Sequence, residues 1–347
     1  MKLIIRILGT LSGFYKSGVI SEDAIDVLDV EYLAHISIGR QRFIVSLDTG
    51  SSDFWIPDIS CSVCSKQHRY NSNRSLHYVE NGQKWAIQNG LGNAQGFLGN
   101  DTLYIFGENS TRLDIPKTIF GQANFIDPHF QEAGFDGMLG LAFPSLSQFL
   151  ALPPIYNAFQ QGLLDEPIFT VYLQKRGNLN HVPGGVFTYG GLDTEHCSTE
   201  IDYHPLSRST YYQFTIDSVS FWGETTGIGI SGPWETISDT GTSFMYGPRE
   251  IVKQFAEMVG ATLNEENGIY DINCNATFGD LQFLIGDKWY SIKSEQLIIE
   301  HGKNQCWFAF FGKDDYPQWN FGDPWIRSYC NIYDMGNQSI GFAKIIA

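Results

Sequence analysis

The feature that most constrains this 347-residue chain is an internal repeat. The two copies are Asp48-Thr-Gly-Ser-Ser-Asp-Phe-Trp-Ile-Pro57 and Asp239-Thr-Gly-Thr-Ser-Phe-Met-Tyr-Gly-Pro248. They share Asp, Thr, Gly, the Ser in the fifth position and the final Pro, and both have a hydroxyl residue in the fourth position. A single Asp-Thr-Gly is typical of a tight turn, but two copies in register indicate two related halves. The chain is also longer than one growing hydrophobic core allows, which favours two lobes.

An apolar strand leads into each Asp of the repeat. Phe43–Leu47 precedes Asp48 and Trp234–Ser238 precedes Asp239, so packing the halves face to face brings two carboxylates together. Two carboxylates in contact cannot both ionise easily, and the pair then holds one proton over the acid range. The ionised carboxyl can take a proton from a water molecule while the protonated one polarises a carbonyl group. The residues alone do not decide which Asp holds the proton.

Most of the chain consists of short β-branched or aromatic runs separated by Gly, Asn, Asp and Pro, which predicts antiparallel β structure. The predicted strands are Tyr32–Ile38, Phe43–Leu47, Phe97–Phe106, Phe169–Leu173, Phe187–Tyr189, Tyr212–Phe221 and Ile340–Ile345. One helix is predicted from Pro154 to Gly162 and another from Pro248 to Gly260. The fold class is therefore all-β with short helices.

Composition narrows the possible functions. Hydrophobic residues make up 43% of the chain and charged residues 17%, which is typical of a packed globular protein. No apolar run has the length of a membrane span, so we expect a soluble protein. The net charge of −16 argues against a nucleic-acid partner and is compatible with work at acid pH, where protonation of carboxylates removes self-repulsion.

Six cysteines and several Asn-x-Ser/Thr sequons indicate an oxidising, glycosylating compartment, and we expect a secreted or lysosomal glycoprotein. The expected glycosylation sites are the sequons at Asn73, Asn109, Asn275 and Asn337. Cys61 and Cys64 form a Cys-x-x-Cys motif. A zinc site needs a second such pair or a His pair at ligand spacing, and the sequence has neither, so a short-loop disulfide is favoured.

Four segments resemble the pepsin and cathepsin D family of aspartic proteases, and the similarity runs from about Val30 to Ala347. They are Asp48-Thr49-Gly50-Ser51, Asp239-Thr240-Gly241-Thr242, Phe135-Asp136-Gly137-Met138-Leu139-Gly140-Leu141 and Gly96-Phe97-Leu98-Gly99-Asn100-Asp101-Thr102. The resemblance implies a bilobal β fold, with an N-terminal lobe at residues 30–188, a C-terminal lobe at residues 189–347, and residues 1–29 as a leader or residual prosegment. It also implies a monomer that cleaves polypeptides between bulky apolar residues, with Asp48 and Asp239 as catalytic residues and without a cofactor or metal.

The same resemblance implies roles for further residues. Ser51 and Thr242 are expected to hydrogen-bond the outer oxygens of the two carboxylates, and Thr49, Thr240, Gly50 and Gly241 complete the support of the pair. Trp55 is expected to support a flap whose tip is Asn89, Gly90 and Leu91, while Phe135 and Met138 line an apolar subsite. Cys197 and Cys330 resemble a disulfide of nematode digestive members, and Cys274 and Cys306 resemble the general disulfide of the C-terminal lobe.

The chain departs from the family pattern at three places. Asn89 stands where a flap tyrosine is usual, which weakens the expectation of strong catalysis. Asn320-Phe321-Gly322 replaces two hydrophobic residues and a Gly beneath the second Asp loop, so the amide of Asn320 needs a hydrogen-bond partner. The segment before Tyr32 is too short and insufficiently basic for a full inhibitory prosegment.

Other functional motifs are weaker. Gly227–Gly232 matches the dinucleotide-binding pattern Gly-x-Gly-x-x-Gly, but Pro233 and Trp234 follow where that fold needs a helix. The sequence has no Gly-x-Ser-x-Gly, His-Glu-x-x-His or Gly-Lys-Ser/Thr motif. Two functions remain: an aspartic endopeptidase active at acid pH, or a pepsin-fold protein that binds peptides or partners with weak or no catalysis because its flap is altered.

Overall fold

The computed structural model describes residues 18–88, 92–223 and 226–347. The strands of the first half are β1 (Ile20–Val27), β2 (Glu31–Ile38), β3 (Gln41–Asp48), β4 (Phe54–Pro57), β5 (Val79–Gln88), β6 (Asn93–Phe106), β7 (Arg112–Ile126), β8 (Gly137–Gly140), β9 (Ile168–Leu173) and β10 (Asn180–Tyr189). Those of the second half are β11 (Cys197–Pro205), β12 (Arg208–Ser209), β13 (Tyr212–Trp222), β14 (Gly227–Ser238), β15 (Met245–Gly247), β16 (Thr262–Asn264), β17 (Ile269–Ile272), β18 (Leu281–Ile285), β19 (Lys288–Ile292), β20 (Ile298–Gly302), β21 (Gln305–Phe308), β22 (Phe310–Gly312), β23 (Trp319–Phe321), β24 (Cys330–Asp334) and β25 (Ser339–Ile345). The helices are short: α1 (Pro128–Glu132), α2 (Pro154–Gln160), α3 (Arg249–Met258) and α4 (Asp323–Ile326).

The described strands form three sheets. Thirteen strands join in the order β11-β25-β24-β9-β10-β1-β2-β3-β8-β4-β7-β6-β5, which combines strands from both halves of the chain. Eight strands form a second sheet, β19-β18-β13-β14-β23-β15-β22 with β12 on β13, and β16-β17-β21-β20 form the third. The prediction of an all-β, bilobal pepsin-like fold is confirmed.

The two predicted helices are present with slightly different ends. α2 begins at Pro154 and α3 begins directly after Pro248, because proline is well suited to the first turn of a helix. Gly162 and Gly260 follow the helices with positive φ angles of 71° and 68°, a backbone conformation that ends a helix and favours glycine. Residues 227–232, which match the dinucleotide-binding pattern, instead lie within strand β14.

The stretch 1–29 that the sequence assigns to a leader or residual prosegment includes the ordered strand β1. This strand pairs with β10 over Ile20 to Val27 and with β2 near its end. Sequence periodicity misses the strand because the acidic residues Glu22 and Asp26 point into the protein and are buried. Their carboxyl groups break the apolar alternation on which the prediction of strands depends.

An aromatic cluster anchors the strand that leads to the second Asp of the repeat. Phe169 and Tyr333 stack with ring centroids 4.6 Å apart, and Tyr212 meets Tyr333 edge-on at 4.7 Å. The Tyr333 hydroxyl lies 2.8 Å from Ser238 Oγ, which also donates to Asn331 Oδ1 over 2.9 Å. The end of β14 is thereby fixed to β24.

No helix in the described part of the chain is long and apolar enough to cross a membrane.

Candidate active site

Each Asp of the repeat lies at the end of a buried strand that has a parallel neighbour. β3 ends at Asp48 and pairs in parallel with β8, and Asp239 follows β14, which pairs in parallel with β23. The neighbouring strands lead to Gly140 and Gly322. A Cβ atom at Gly140 would overlap the backbone of Ser52 and Asp53, directly after the first loop, and one at Gly322 would overlap the carbonyl oxygens of Thr242 and Phe244, so only glycine permits this close approach.

The two loops are joined by reciprocal hydrogen bonds between their threonines. Thr49 N donates to Thr240 Oγ1 over 3.0 Å, and Thr240 N donates to Thr49 Oγ1 over 2.9 Å. Each hydroxyl then donates to a backbone carbonyl of the other half, Thr49 to Ser238 O at 2.8 Å and Thr240 to Leu47 O at 2.6 Å. All of these groups are buried, which strengthens the bonds and fixes the separation of the two Asp residues.

Each carboxylate receives two donors from its own loop. Gly50 N donates to Asp48 Oδ1 over 2.8 Å, and Ser51 Oγ donates to Asp48 Oδ2 over 2.5 Å. In the second loop, a glycine N–H and a threonine hydroxyl make the equivalent bonds to Asp239. The donor–acceptor pairs are Gly241 N with Asp239 Oδ1 at 3.0 Å and Thr242 Oγ1 with Asp239 Oδ2 at 2.7 Å.

The two carboxylates lie against each other at the meeting point of the halves. A Cβ atom at Gly50 would lie 2.6 Å from Asp239 Oδ1, and one at Gly241 would overlap Asp48 Oδ1. Burial and, after it, the charge of Asp239 raise the pKa of Asp48 to about 7. A carboxyl pair of this kind holds one proton at acid pH and presents both a proton donor and a proton acceptor.

Asn320, the polar residue that departs from the family pattern, reaches this pair. Its Nδ2 donates to Asp239 Oδ2 over 2.7 Å and lies 3.3 Å from Thr242 Oγ1. The sequence indicated that the amide needs a partner, and its partner is the candidate catalytic carboxylate. Among the described residues, no group of three His, Cys, Asp or Glu side chains is arranged to hold a metal ion.

Comparison with known proteins agrees with this geometry. The sequence model of the eukaryotic aspartyl protease family matches residues 31–345. The chain belongs to the eukaryotic aspartyl protease family. It is 44% identical to aspartic protease 6 of Caenorhabditis elegans (92% of this chain, 82% of the relative), 37% identical to aspartic protease 2 of Necator americanus (93% and 85%), and 34% identical to cathepsin E of Aquarana catesbeiana (94% and 82%). It is therefore a pepsin-like aspartic endopeptidase.

An apolar cluster lies beside the dyad of this aspartyl protease. Trp55, Phe135 and Met138 are all buried in it. The Trp55 ring meets Phe130 edge-on at 5.2 Å and lies 6.4 Å from the Trp85 ring. The cluster connects to the dyad through Met138, whose Sδ is 3.4 Å from the hydroxyl of the serine that binds Asp48.

The arms of the predicted flap form a hairpin of β5 and β6, with Gln88 opposite Asn93. The predicted tip, Asn89, Gly90 and Leu91, lies outside the described residues. The indole N–H groups of Trp55, in β4, and of Trp85, in the β5 arm of the hairpin, are buried and have no hydrogen-bond partner in the part of the chain that the structure describes. The Trp55 donor that a flap tyrosine serves in the family pattern therefore has no partner among the described residues, which do not include the flap tip.

The aspartyl protease contains three disulfides, and they join the pairs that the sequence indicated. Cys61 bonds to Cys64 within one loop. Cys197 bonds to Cys330, tying β11 to β24, and Cys274 bonds to Cys306 across 32 positions.

Three of the expected glycosylation sites have exposed asparagines, at Asn73, Asn275 and Asn337. The Asn337 amide nitrogen donates to Asp334 Oδ2 over 2.8 Å in a turn. The side chain of Asn109 lies outside the described part of the structure.

Sequence reasoning missed two tyrosines beside the dyad. The charges of Asp239 and Asp48 both act on Tyr211, and the charge of Asp239 acts on Tyr246. Burial is the larger cause in each case and raises the pKa of both phenols. Tyr246 could have been found, because it holds the same position in the second copy of the repeat that Trp55 holds in the first. Tyr211 belongs to no repeated motif.

Proposed function

We propose that this endopeptidase hydrolyses peptide bonds of polypeptides at acid pH, using a water molecule activated between Asp48 and Asp239. The proposal is supported by the contact of the two carboxylates, each bracketed by hydrogen-bond donors and fixed across the halves by Thr49 and Thr240. Both roles that hydrolysis requires, proton acceptor and proton donor, are then present in one site.

The proposed reaction needs no covalent intermediate. The ionised carboxyl takes a proton from the water molecule as the water oxygen forms a bond to the scissile carbonyl carbon. The protonated carboxyl gives its proton to the carbonyl oxygen, which produces a neutral gem-diol. The diol then loses a proton to the dyad, the C–N bond breaks, and the leaving amine takes a proton, so the dyad returns to its single-proton state.

The proposed substrates have bulky apolar side chains next to the cleaved bond. The cluster of Trp55, Phe135 and Met138 supports this preference because it continues to the Ser51 hydroxyl beside Asp48.

We propose a secreted or lysosomal location. The three disulfides and the exposed sequon asparagines suit an oxidising, glycosylating route, and a lysosome would also provide the acid pH that the dyad requires.

Digestion of denatured haemoglobin tests the proposed function. Wild type should release peptides at acid pH, a statine-type transition-state mimic should block the release, and Asp48→Asn and Asp239→Asn should abolish it. A folded wild type that binds the mimic but cleaves nothing across the acid range would instead support the second candidate, a peptide-binding protein with little catalysis. The second candidate is supported by the indole N–H of Trp55, which has no hydrogen-bond partner among the described residues.

A further inference from the structure

The two halves of the site differ at one pair of equivalent positions. Counting back two residues from Gly140 and from Gly322, the glycines that face the two Asp loops, gives Met138 in the first half and Asn320 in the second. Both side chains approach the loop hydroxyl: Met138 Sδ is 3.4 Å from Ser51 Oγ, and the amide nitrogen of Asn320 is equally near its loop threonine at 3.3 Å. The repeat therefore puts a thioether on one side and a carboxamide on the other.

These two groups have different hydrogen-bonding capacity. A thioether sulfur can only accept, so Met138 gives no proton to a carboxylate. The Asn320 amide carries two N–H donors, and one of them reaches Asp239 Oδ2 over 2.7 Å. That oxygen thus accepts from both Asn320 and Thr242, whereas the outer oxygen of Asp48 accepts from Ser51.

A donor held against a carboxylate stabilises its ionised form more than its neutral form. Hydrogen bonds to a charged oxygen are shorter and about twice as strong as neutral ones. A protonated carboxyl gains less from an N–H group because its oxygens carry less charge. The extra donor therefore favours negative charge on Asp239 over negative charge on Asp48.

The other groups around Asp239 do not oppose this preference at acid pH. The titratable residues that interact with Asp239 are Asp48, Asp323, Tyr211, Tyr246 and Tyr333. Burial raises the pKa of Asp323 well above its usual range and raises those of the three phenols, so these four groups are neutral in acid. The competition for the charge is then between the two dyad carboxyls.

We infer that Asn320 is a positioning residue that holds the negative charge of the dyad on Asp239 and leaves the shared proton on Asp48. Asp239 is then the group that takes the proton from water, and Asp48 is the group that polarises the scissile carbonyl. This inference rests on the proposed function and deepens it, because the repeat and the proposed reaction leave open which carboxyl has which role.

Replacing Asn320 by leucine tests the inference, since leucine has a similar shape and no donor. The acid limb of the kcat/KM pH profile reports the ionisation of the free dyad. Its midpoint should move up by about one pH unit, a tenfold change in the apparent ionisation constant. The alkaline limb should move much less, because the states on both sides of that limb carry the charge on Asp239.

Two further variants control this experiment. Met138→Leu changes the equivalent position without removing a donor; it can alter KM or kcat but should leave the acid midpoint in place. Asn320→Ala removes the donor and adds no bulk, so it should repeat the upward shift if Asn320→Leu fails to fold. An acid midpoint that stays in place in the folded Asn320 variants, or an equal shift in Met138→Leu, would overturn the inference.

Carboxyl-carbon NMR separates this inference from the proposed function. With ¹³C-labelled aspartate, the signals of Asp48 and Asp239 report the dyad proton whether or not the protein cleaves peptides. Wild type should lose the charge on Asp239 at a lower pH than Asn320→Leu does. If the wild type cleaves no peptide but the titration of Asp239 differs between wild type and Asn320→Leu, the result counts against the proposed catalysis alone. If the wild type is active but the two proteins titrate identically, the result counts against the role of Asn320.

Discussion

Replacing Glu22 by glutamine should reduce the loss of folding stability that the protein undergoes between acid and neutral pH. The Glu22 side chain is buried in strand β1, where Oε2 accepts a hydrogen bond from the Tyr189 hydroxyl over 3.0 Å. Its other oxygen, Oε1, has no partner among the described residues. Burial raises the pKa of Glu22 from 4.5 to about 8, and the nearby charge of Asp23 adds to the increase.

The direction and size of the effect follow from proton linkage. Between about pH 4.5 and 8 the folded protein keeps a proton on Glu22 that the unfolded chain releases, so the free energy of unfolding decreases as the pH rises. The stabilisation is complete below about pH 4.5 and is lost as the pH rises through about 8. At about 1.4 kcal/mol per pH unit, this one group should lower the stability by about 3 kcal/mol between pH 4.5 and 7.

Glutamine cannot ionise, so Glu22→Gln should remove this part of the pH dependence. At acid pH the variant should be less stable by about 1 kcal/mol, because its amide NH2 group places two N–H donors where Glu22 Oε1 has no partner among the described residues. The two stability curves should therefore cross as the pH rises. Equilibrium urea unfolding across this range measures the effect, with all proteins carrying Asp48→Asn to prevent self-digestion. Parallel curves for wild type and Glu22→Gln would refute the reasoning, and Glu80→Gln, at an exposed position of β5, provides the matched control.

Three other predictions concern catalysis and covalent structure. Activity should peak well below neutral pH and persist with a chelator, and Asp48→Asn or Asp239→Asn should each remove nearly all turnover; a neutral optimum or loss to the chelator contradicts the mechanism. Non-reducing peptide mapping should recover the Cys197–Cys330 bond, whose removal should cost on the order of 4 kcal/mol in a chain-entropy model, and a free thiol at either cysteine contradicts the pairing. Asn89→Tyr should raise kcat/KM about tenfold, or about 1.4 kcal/mol, by adding a ring over the substrate and an acceptor for the Trp55 indole N–H, which has no partner among the described residues. An unchanged or lower value would show that the flap already has another arrangement.

The parts of the fold that the sequence predicts are those in which local pattern and tertiary role agree. The β-rich runs become strands because their apolar residues face a core, and α3 buries Val252 and Phe255 on the face that its periodicity indicated. Strand β1 was missed because Glu22 and Asp26 occupy inward positions that the pattern reserves for apolar residues. Burial disfavours the ionised form of both carboxyl groups and is the first cause of their raised pKa values, about 8 for Glu22 and about 7 for Asp26.

The active-site residues divide in the same way, into those that a local sequence pattern predicts and those that depend on tertiary contacts. The two Asp-Thr-Gly copies are sufficient to predict that Asp48 and Asp239 meet, because a repeat of this kind implies two halves packed face to face. The pattern cannot give the reciprocal bonds of Thr49 and Thr240, since these depend on how far each loop extends into the other half.

The contact of Asn320 with the dyad depends on a pairing between strands that are distant in sequence. β14 and β23 lie side by side in parallel, with Ile237 opposite Asn320, and this register turns the amide toward Asp239. A pattern that treats position 320 as a buried apolar site can only mark the residue as unusual. Because an unpartnered amide in that layer would cost about 1 to 3 kcal/mol, its presence there already required a strong acceptor close by. The Asp239 carboxylate satisfies the amide nitrogen, whereas Asn320 Oδ1 is buried with no partner among the described residues. The exception to the family pattern therefore marks the place where the two otherwise similar halves of the site become chemically distinct.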